Sequence, residues 1–271
     1  MKADIIGQNV LVDQVEKVFK IFKSSDCEIK PHFIITGPSG ASKTYTVKNL
    51  AEEHQLGFLE INAAQLTKEG TAGNSLSKAL SPLIQRNGTP TIVLVDEFDK
   101  LFISGNNNDS AAHETTVGVQ NEFLKILEGQ TASVYNDYGK YANISISNIL
   151  FVFVGAFNGE EDINLDRLRE IGLKTEFLGR VGIVFNSCKL SLQELFDIVD
   201  NNTLIDQYCN LVVGSNKEEI KSLIKGYLQI NYENNSIGAR IINTLVHQYF
   251  INGGLPEKIV KKSIFQKKIK L

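Results

Sequence analysis

Short, largely apolar runs alternate along the chain with segments whose apolar residues recur every three or four positions. The runs are FIITG (33–37), FLEIN (58–62), TIVLVDE (91–97), ILFVFVGA (149–156) and GIVFN (182–186). Their alternation with helix-period segments predicts an α/β fold, a parallel sheet flanked by helices on both faces. NVLVDQVEKVFKIFK (9–23) puts Val12, Val15, Phe19 and Phe22 on one helical face, and VGVQNEFLKILEG (117–129) does the same with Val119, Phe123, Ile126 and Leu127. From Leu190 the strand pattern stops. SLQELFDIVDN, KEEIKSLIKGYLQI and SIGARIINTLVHQYF predict a second domain of three helices, the first opened by a capping box of Ser191 and Glu194. The expected division is a large α/β domain over 1–188, a small helical domain over 189–257 and a basic tail over 258–271.

Two polar stretches, SGNNNDSAAHETT (104–116) and YNDYGKYANIS (135–145), carry neither period and are expected to be surface loops. Tyr135, Tyr138 and Tyr141 would then lie in a surface turn. At 271 residues and 42% hydrophobic composition the chain can bury a sizeable core, yet no apolar run is long enough to span a bilayer. The opening MKADIIGQNV lacks the apolar region of an export signal, so a soluble, cytoplasmic protein is expected. Cys27, Cys188 and Cys209 lie far apart with no CxxC, which fits reduced thiols and excludes a thiolate zinc module. His32, His54, His113 and His247 have no partners at metal or nucleophile spacing. A net charge of −3 provides no general attraction for nucleic acid or an anionic membrane. The exception is the lysine-rich end from Lys258, either a solvated tail or a docking segment for an acidic partner or nucleic acid.

The chemistry concentrates in GPSGASKT, residues 37–44, which follows a strand and opens a helix. That is the context of a phosphate loop: backbone N–H groups of Ser39, Gly40, Ala41 and Ser42, with Pro38 opening the loop, and the helix N-terminus face phosphate, with Tyr45 just beyond. Lys43 adds a point charge and the Thr44 hydroxyl can ligate Mg²⁺. Ser42 stands where the pattern closes on Gly. If its dihedrals are ordinary helical ones its cost is small, so ATP binding is expected to survive, with slower hydrolysis. TIVLVDEFDK supplies the second half. A buried strand ends in Asp96 and Glu97, at the carboxyl edge where ligands bind in open α/β sheets. Asp96 is the candidate magnesium residue and Glu97 the base that polarises water.

Together these residues resemble the AAA+ ATPases, and within them the Clp/HslU-type unfoldases, nearest to ClpX. DIIGQ near the start, GVQNEFLKILEG, ILFVFVGAFNG, EFLGRVGIVF and SIGAR resemble family segments in the same order. The resemblance implies a P-loop NTPase sheet followed by a small helical lid, with Ile5, Ile6 and Gly7 contacting the base. It implies that Arg180 is an arginine finger reaching a neighbouring subunit's γ-phosphate and that Arg240 senses phosphate in its own subunit. Only five Arg occur in the chain, which gives weight to two falling in these motifs; an ordinary surface salt bridge is the plain alternative for each. Asn158, after the fourth major strand, would be the polar group that orients water. A finger acting in trans needs head-to-tail subunits, closing as a ring or continuing as a spiral, and the resemblance makes that homo-oligomer a hexamer.

The chain also departs from the family. The pore-loop pattern Gly-aromatic-aliphatic-Gly reads Gly70-Thr71-Ala72-Gly73, without the ring that grips polypeptide. The basic pore-entrance segment is missing from 135–145, and GAFNGEEDINLDRLREIGLKTEFLGR passes from strand to finger without the peptidase-docking insertion. Neither an amino-terminal zinc domain nor a ClpP-type peptidase partner is expected. Three functions stay open: an oligomeric remodeller or assembly chaperone of a protein complex whose client is unknown, a nucleic-acid-associated loader, or a slow nucleotide-gated interaction module.

Overall fold

The computed structural model describes residues 5–67, 74–86, 88–102, 110–136 and 139–255, with side chains except at 110–116. These residues form two compact units, one holding 9–37 and 43–187, the other 5–8, 38–42 and 188–255.

In the first unit, α1 (Asn9–Ser24) leads into β1 (Phe33–Thr36), α2 (Lys43–Glu53) and β2 (Gly57–Asn62). A short parallel pair, β3 (Leu66–Thr67) and β4 (Asn74–Ser75), precedes α3 (Leu76–Ala79) and β5 (Thr91–Asp96). Then come α4 (Ser110–Glu128), the strands β6 (Thr131–Tyr135) and β7 (Tyr141–Ser145), β8 (Ile149–Val154), α5 (Leu165–Ile171), α6 (Thr175–Arg180) and β9 (Ile183–Asn186). The main sheet has the order β2-β5-β8-β1-β9 and is parallel throughout. All five long apolar runs are its strands, as the sequence predicts. β1, β5 and β8 are buried along nearly their whole length, because parallel strands with helices on both faces leave no side for polar residues.

Alternate residues serve the two faces. Ile34, Val93, Val95, Phe151 and Phe153 join one core with Val119 and Phe123 of α4 and Phe177 of α6. Its centre is aromatic: the Phe98 ring lies 4.6 Å from Phe153, 5.2 Å from Phe177 and 6.2 Å from Phe123 between centroids. On α1 the buried stripe is Leu11, Val15, Val18, Phe19 and Phe22. It is wider than the predicted face, and Val12 is only half-buried on its margin.

The two polar stretches are corrected. Residues 110–116, expected as loop, are the first turns of α4; 103–109 lie outside the described residues. Residues 141–145, also expected as loop, form β7, paired antiparallel with β6 so that Val134 and Ile144 face the core and Tyr141 faces out. Tyr135 and Tyr141 are cross-strand partners 5.9 Å apart rather than turn residues, and Tyr138 is outside the described residues. The segment 70–73 is also outside them, as is the lysine-rich end.

The second unit contains four helices where three were expected: α7 (Leu192–Asp200), α8 (Thr203–Leu211), α9 (Lys217–Asn231) and α10 (Arg240–Asn252). Each of the first three has a side-chain cap. Ser191 and Glu194 form the predicted capping box, while Asn202 and Asn216 accept from the first-turn amides of α8 and α9. Leu195, Val199, Ile205, Ile224, Leu228 and Leu245 fill a core of their own. Among the described residues no helix is long and apolar enough to cross a membrane.

Candidate functional site

β1 ends in Thr36, and the chain turns at Gly37 into residues that open α2. Gly37 has φ 121°, and a Cβ there would come within 2.3 Å of the Ser187 carbonyl oxygen, so no other residue fits the turn. Ser187 holds the turn from the other side, its N–H and hydroxyl donating to Thr36 O at 2.8 and 2.9 Å. Lys43, 9% exposed, folds back so that Nζ donates to Gly37 O at 2.8 Å. Ser42 sits at φ 60°, in the left-handed region, and not in the ordinary helical region that would make it cheap. The backbone keeps the shape suited to glycine and the serine bears the strain, about 1–2 kcal/mol. Ala41 is buried, and Ser39 and Tyr45 face solvent.

The Thr44 hydroxyl donates to Asp96 Oδ2 at 2.8 Å, joining the start of α2 to the carboxyl end of β5. The other oxygen of Asp96 accepts from Glu97 N at 2.8 Å. Glu97 is exposed and left-handed, φ 54°, which turns its side chain off the strand line before the 3₁₀ turn Phe98–Leu101. At the end of the adjacent strand β8, Phe157 and Asn158 have φ 45° and 59°, with Asn158 exposed. The structure therefore brings Thr44 and Asp96 into contact and sets Glu97 and Asn158 on turns after neighbouring strands. A hydroxyl and a carboxylate oxygen are the hard donors Mg²⁺ selects, and two protein ligands suffice for an ion that keeps phosphate and water in its shell. Arg180 closes α6 and pairs with Glu128 at 3.3 Å, both half-exposed.

In the second unit, Gly7 has φ 79°, and Ile5, Ile6 and Gly7 are all half-buried. The next residue, Gln8, is 3% exposed; its amide donates to Cys188 O at 2.9 Å and accepts from Cys188 N at 3.2 Å. That two-point clamp fixes the Ile5–Gly7 segment. Ala239 N donates to Gly40 O at 3.1 Å, and the exposed Arg240 follows as the first residue of α10.

Two residues escaped the sequence reading. Gln8 was quoted only as the end of DIIGQ. Asp99, two residues beyond Glu97 in DEFDK, is 1% exposed and accepts from Ala156 N at 3.2 Å. The available signal was a carboxylate between Phe98 and Leu101, apolar residues whose spacing already called for burial.

The family model for the ATPase family associated with various cellular activities (AAA) matches residues 33–170. Among curated proteins, the ATP-dependent Clp protease ATP-binding subunit ClpX of Treponema denticola is 32% identical over 188 residues, 65% of this chain and 44% of that protein. The proteins of the same name from Borrelia duttonii and Borrelia recurrentis are each 29% identical over 260 residues, 76% of this chain and 61% of theirs. The chain thus spans about half to three-fifths of the length of these relatives. The phosphate loop, the Asp96–Glu97 pair and Asn158 all fall inside the matched family span, and the chain belongs to the AAA family of ATPases.

Proposed function

We propose that this chain binds ATP with Mg²⁺, hydrolyses it, and uses the cycle to remodel or assemble a protein complex as a homo-oligomer. The observation that carries the reading is the 2.8 Å bond from Thr44 to Asp96, which joins the phosphate-loop helix to the acid-bearing strand end. Thr44 and Asp96 would hold the metal, whose positive charge offsets charge on the phosphates when bound. Lys43 exchanges Gly37 O for phosphate oxygen. Glu97 takes the proton of the attacking water, and Asn158 on the next strand orients that water. Arg240 approaches phosphate in its own subunit, and Ile5, Ile6 and Gly7 border the base. Arg180, half-exposed and held only by a surface ion pair, suits a finger that leaves Glu128 for a neighbour's phosphate.

Such a finger implies a ring or spiral, taken as hexameric from the likeness to ClpX. The passage from β8 to Arg180 holds a 3₁₀ turn at Phe157–Gly159, α5 and α6, a short path that supports an assembly that does not dock a peptidase. Three cysteines with no disulfide fit a cytoplasmic setting. The test is Glu97→Gln. Turnover is expected to fall by about 10²–10⁴-fold while ATP binding and ATP-dependent assembly persist, measured by phosphate release and by size-exclusion chromatography with ATP. Turnover and assembly both at parent values would remove Glu97 from the role. The same variant, holding ATP, is the bait with which to capture the client.

A further inference from the structure

The turn that carries Asn158 is an expensive piece of backbone. Phe157 and Asn158 are consecutive non-glycine residues with φ 45° and 59°, a conformation that side chains disfavour and that is kept only where surrounding structure enforces it. Beyond them the turn is closed locally, by Gly159 N donating to Ala156 O at 2.7 Å and Glu160 N to Phe157 O at 3.2 Å. Before them the anchor comes from the 3₁₀ turn that follows β5. Asp99 Oδ1 accepts from Ala156 N at 3.2 Å, a charge-assisted bond to backbone two residues ahead of Asn158.

This carboxylate is 1% exposed, whereas Lys100, whose Nζ donates to Asp99 Oδ2 at 3.2 Å, keeps its own side chain 49% exposed. Space is kept open for the contact. A Cβ on Gly155 would stand 2.9 Å from Asp99 Oδ1 and 2.7 Å from Phe157 Cε2. Asp99 belongs to the same 3₁₀ turn that follows Glu97. One short segment therefore bears the proposed base and grips the backbone of the proposed water-orienting residue.

We propose that Asp99 is a positioning residue for ATP hydrolysis: by holding Ala156 N it fixes the strained turn and with it the place of Asn158 relative to Glu97. This rests on the roles given to Glu97 and Asn158 above. Displacement of a polar group by about an ångström costs up to about 100-fold in rate while leaving substrate contacts made elsewhere intact. The described hydrogen bonds of Asp99 go to Ala156 N and Lys100 Nζ, so the effect is expected on turnover rather than on nucleotide affinity.

The experiment measures kcat, ATP affinity and the urea midpoint for Asp99→Ala, Asp99→Asn, Asn158→Ala and the double variant of Asp99→Ala with Asn158→Ala. Asp99→Ala is expected to lower kcat about 10–100-fold with ATP affinity within about twofold. Asp99→Asn, which keeps the acceptor oxygen, is expected to recover most of that loss. The double variant should be no slower than Asn158→Ala, because the two act as a unit. Gly155→Ala keeps the carboxylate but crowds it and the Phe157 ring, so it presses on the same bond from the other side and should reproduce the loss of kcat. It decides the matter if Asp99→Ala does not fold. An impaired Asn158→Ala beside a fully active Asp99→Ala or Gly155→Ala would overturn the proposal with the parent reading intact, as would losses that multiply in the double variant. Full activity in both Asn158→Ala and Glu97→Gln would instead sink the parent reading, and this proposal with it.

Discussion

Among the described residues eight non-glycine positions are left-handed, and four of them stand where the chemistry is proposed: Ser42 in the phosphate loop, Glu97 after β5, Phe157 and Asn158 after β8; Asp26, Cys27, Gln55 and Asp162 are the others. Strain of this kind persists only where packing over-determines it, and it aims side chains that regular structure would point elsewhere. At Ser42 the strain has no visible use, since the loop shape is the one glycine would adopt. Ser42→Gly is therefore expected to stabilise the chain by about 0.5–1 kcal/mol, the relief of the left-handed serine less the greater freedom of glycine in the unfolded chain. Urea unfolding measures it. ATP affinity should stay within about twofold, because the backbone holds that shape with serine in place. The Ser42 substitution was legible in the sequence as a departure, but its dihedral was not, because one letter does not say whether the backbone yields to the side chain or the reverse.

At the scale of elements, the strands of the main sheet were legible because burial on both faces leaves continuous apolar letters. β7 was not. YANIS shows polar residues on its outward face and follows turn-forming Asn and Gly, so its alternation was lost among loop signals. The first turns of α4 carry SAAHETT, which has no apolar repeat to find, and α8 buries only Ile205 fully, which leaves no apolar stripe to read. A different link ties β1 to β8. The ring of His32, just ahead of β1, accepts from Phe151 N at 3.1 Å, so an imidazole continues the pairing of the two strands. Burial, with the charge of Lys30 adding to it, lowers the pKa of His32 from 6.5 to about 4. In the folded chain the ring stays neutral, while unfolding lets it take up a proton between those values. Its contribution is thus fully present above pH 6.5 and is lost as pH falls towards 4. Parent stability should drop by about 2 kcal/mol more between pH 7 and pH 5 than that of His32→Gln, which keeps an acceptor and does not titrate. Denaturant titrations at the two pH values compare them, and equal slopes would place the proton elsewhere.

At the scale of the whole molecule, the family and its nucleotide were readable from two motifs, whereas the proposed completion of the site would depend on neighbours. Arg180 rests on Glu128 within its own chain, so the reach towards phosphate proposed for it would be a property of assembly. Arg180→Ala and Glu97→Gln are each expected to be nearly inactive alone. Mixed in equal amounts they should regain up to about a quarter of parent turnover, the fraction of interfaces at which an intact base meets an intact finger in a randomly mixed ring. Phosphate-release assays on premixed and separate proteins read this directly, and no recovery on mixing would argue for a finger acting in its own subunit. The aromatic centre of the large core bears on the same machinery. Phe98 follows Glu97, Phe177 shares α6 with Arg180, and Phe153 lies on the strand that leads to Asn158; the three rings touch one another. Drift at any one ring would therefore reach all three groups proposed for the reaction together, and their tuning would be inherited as a set by positions outside the proposed nucleotide contacts.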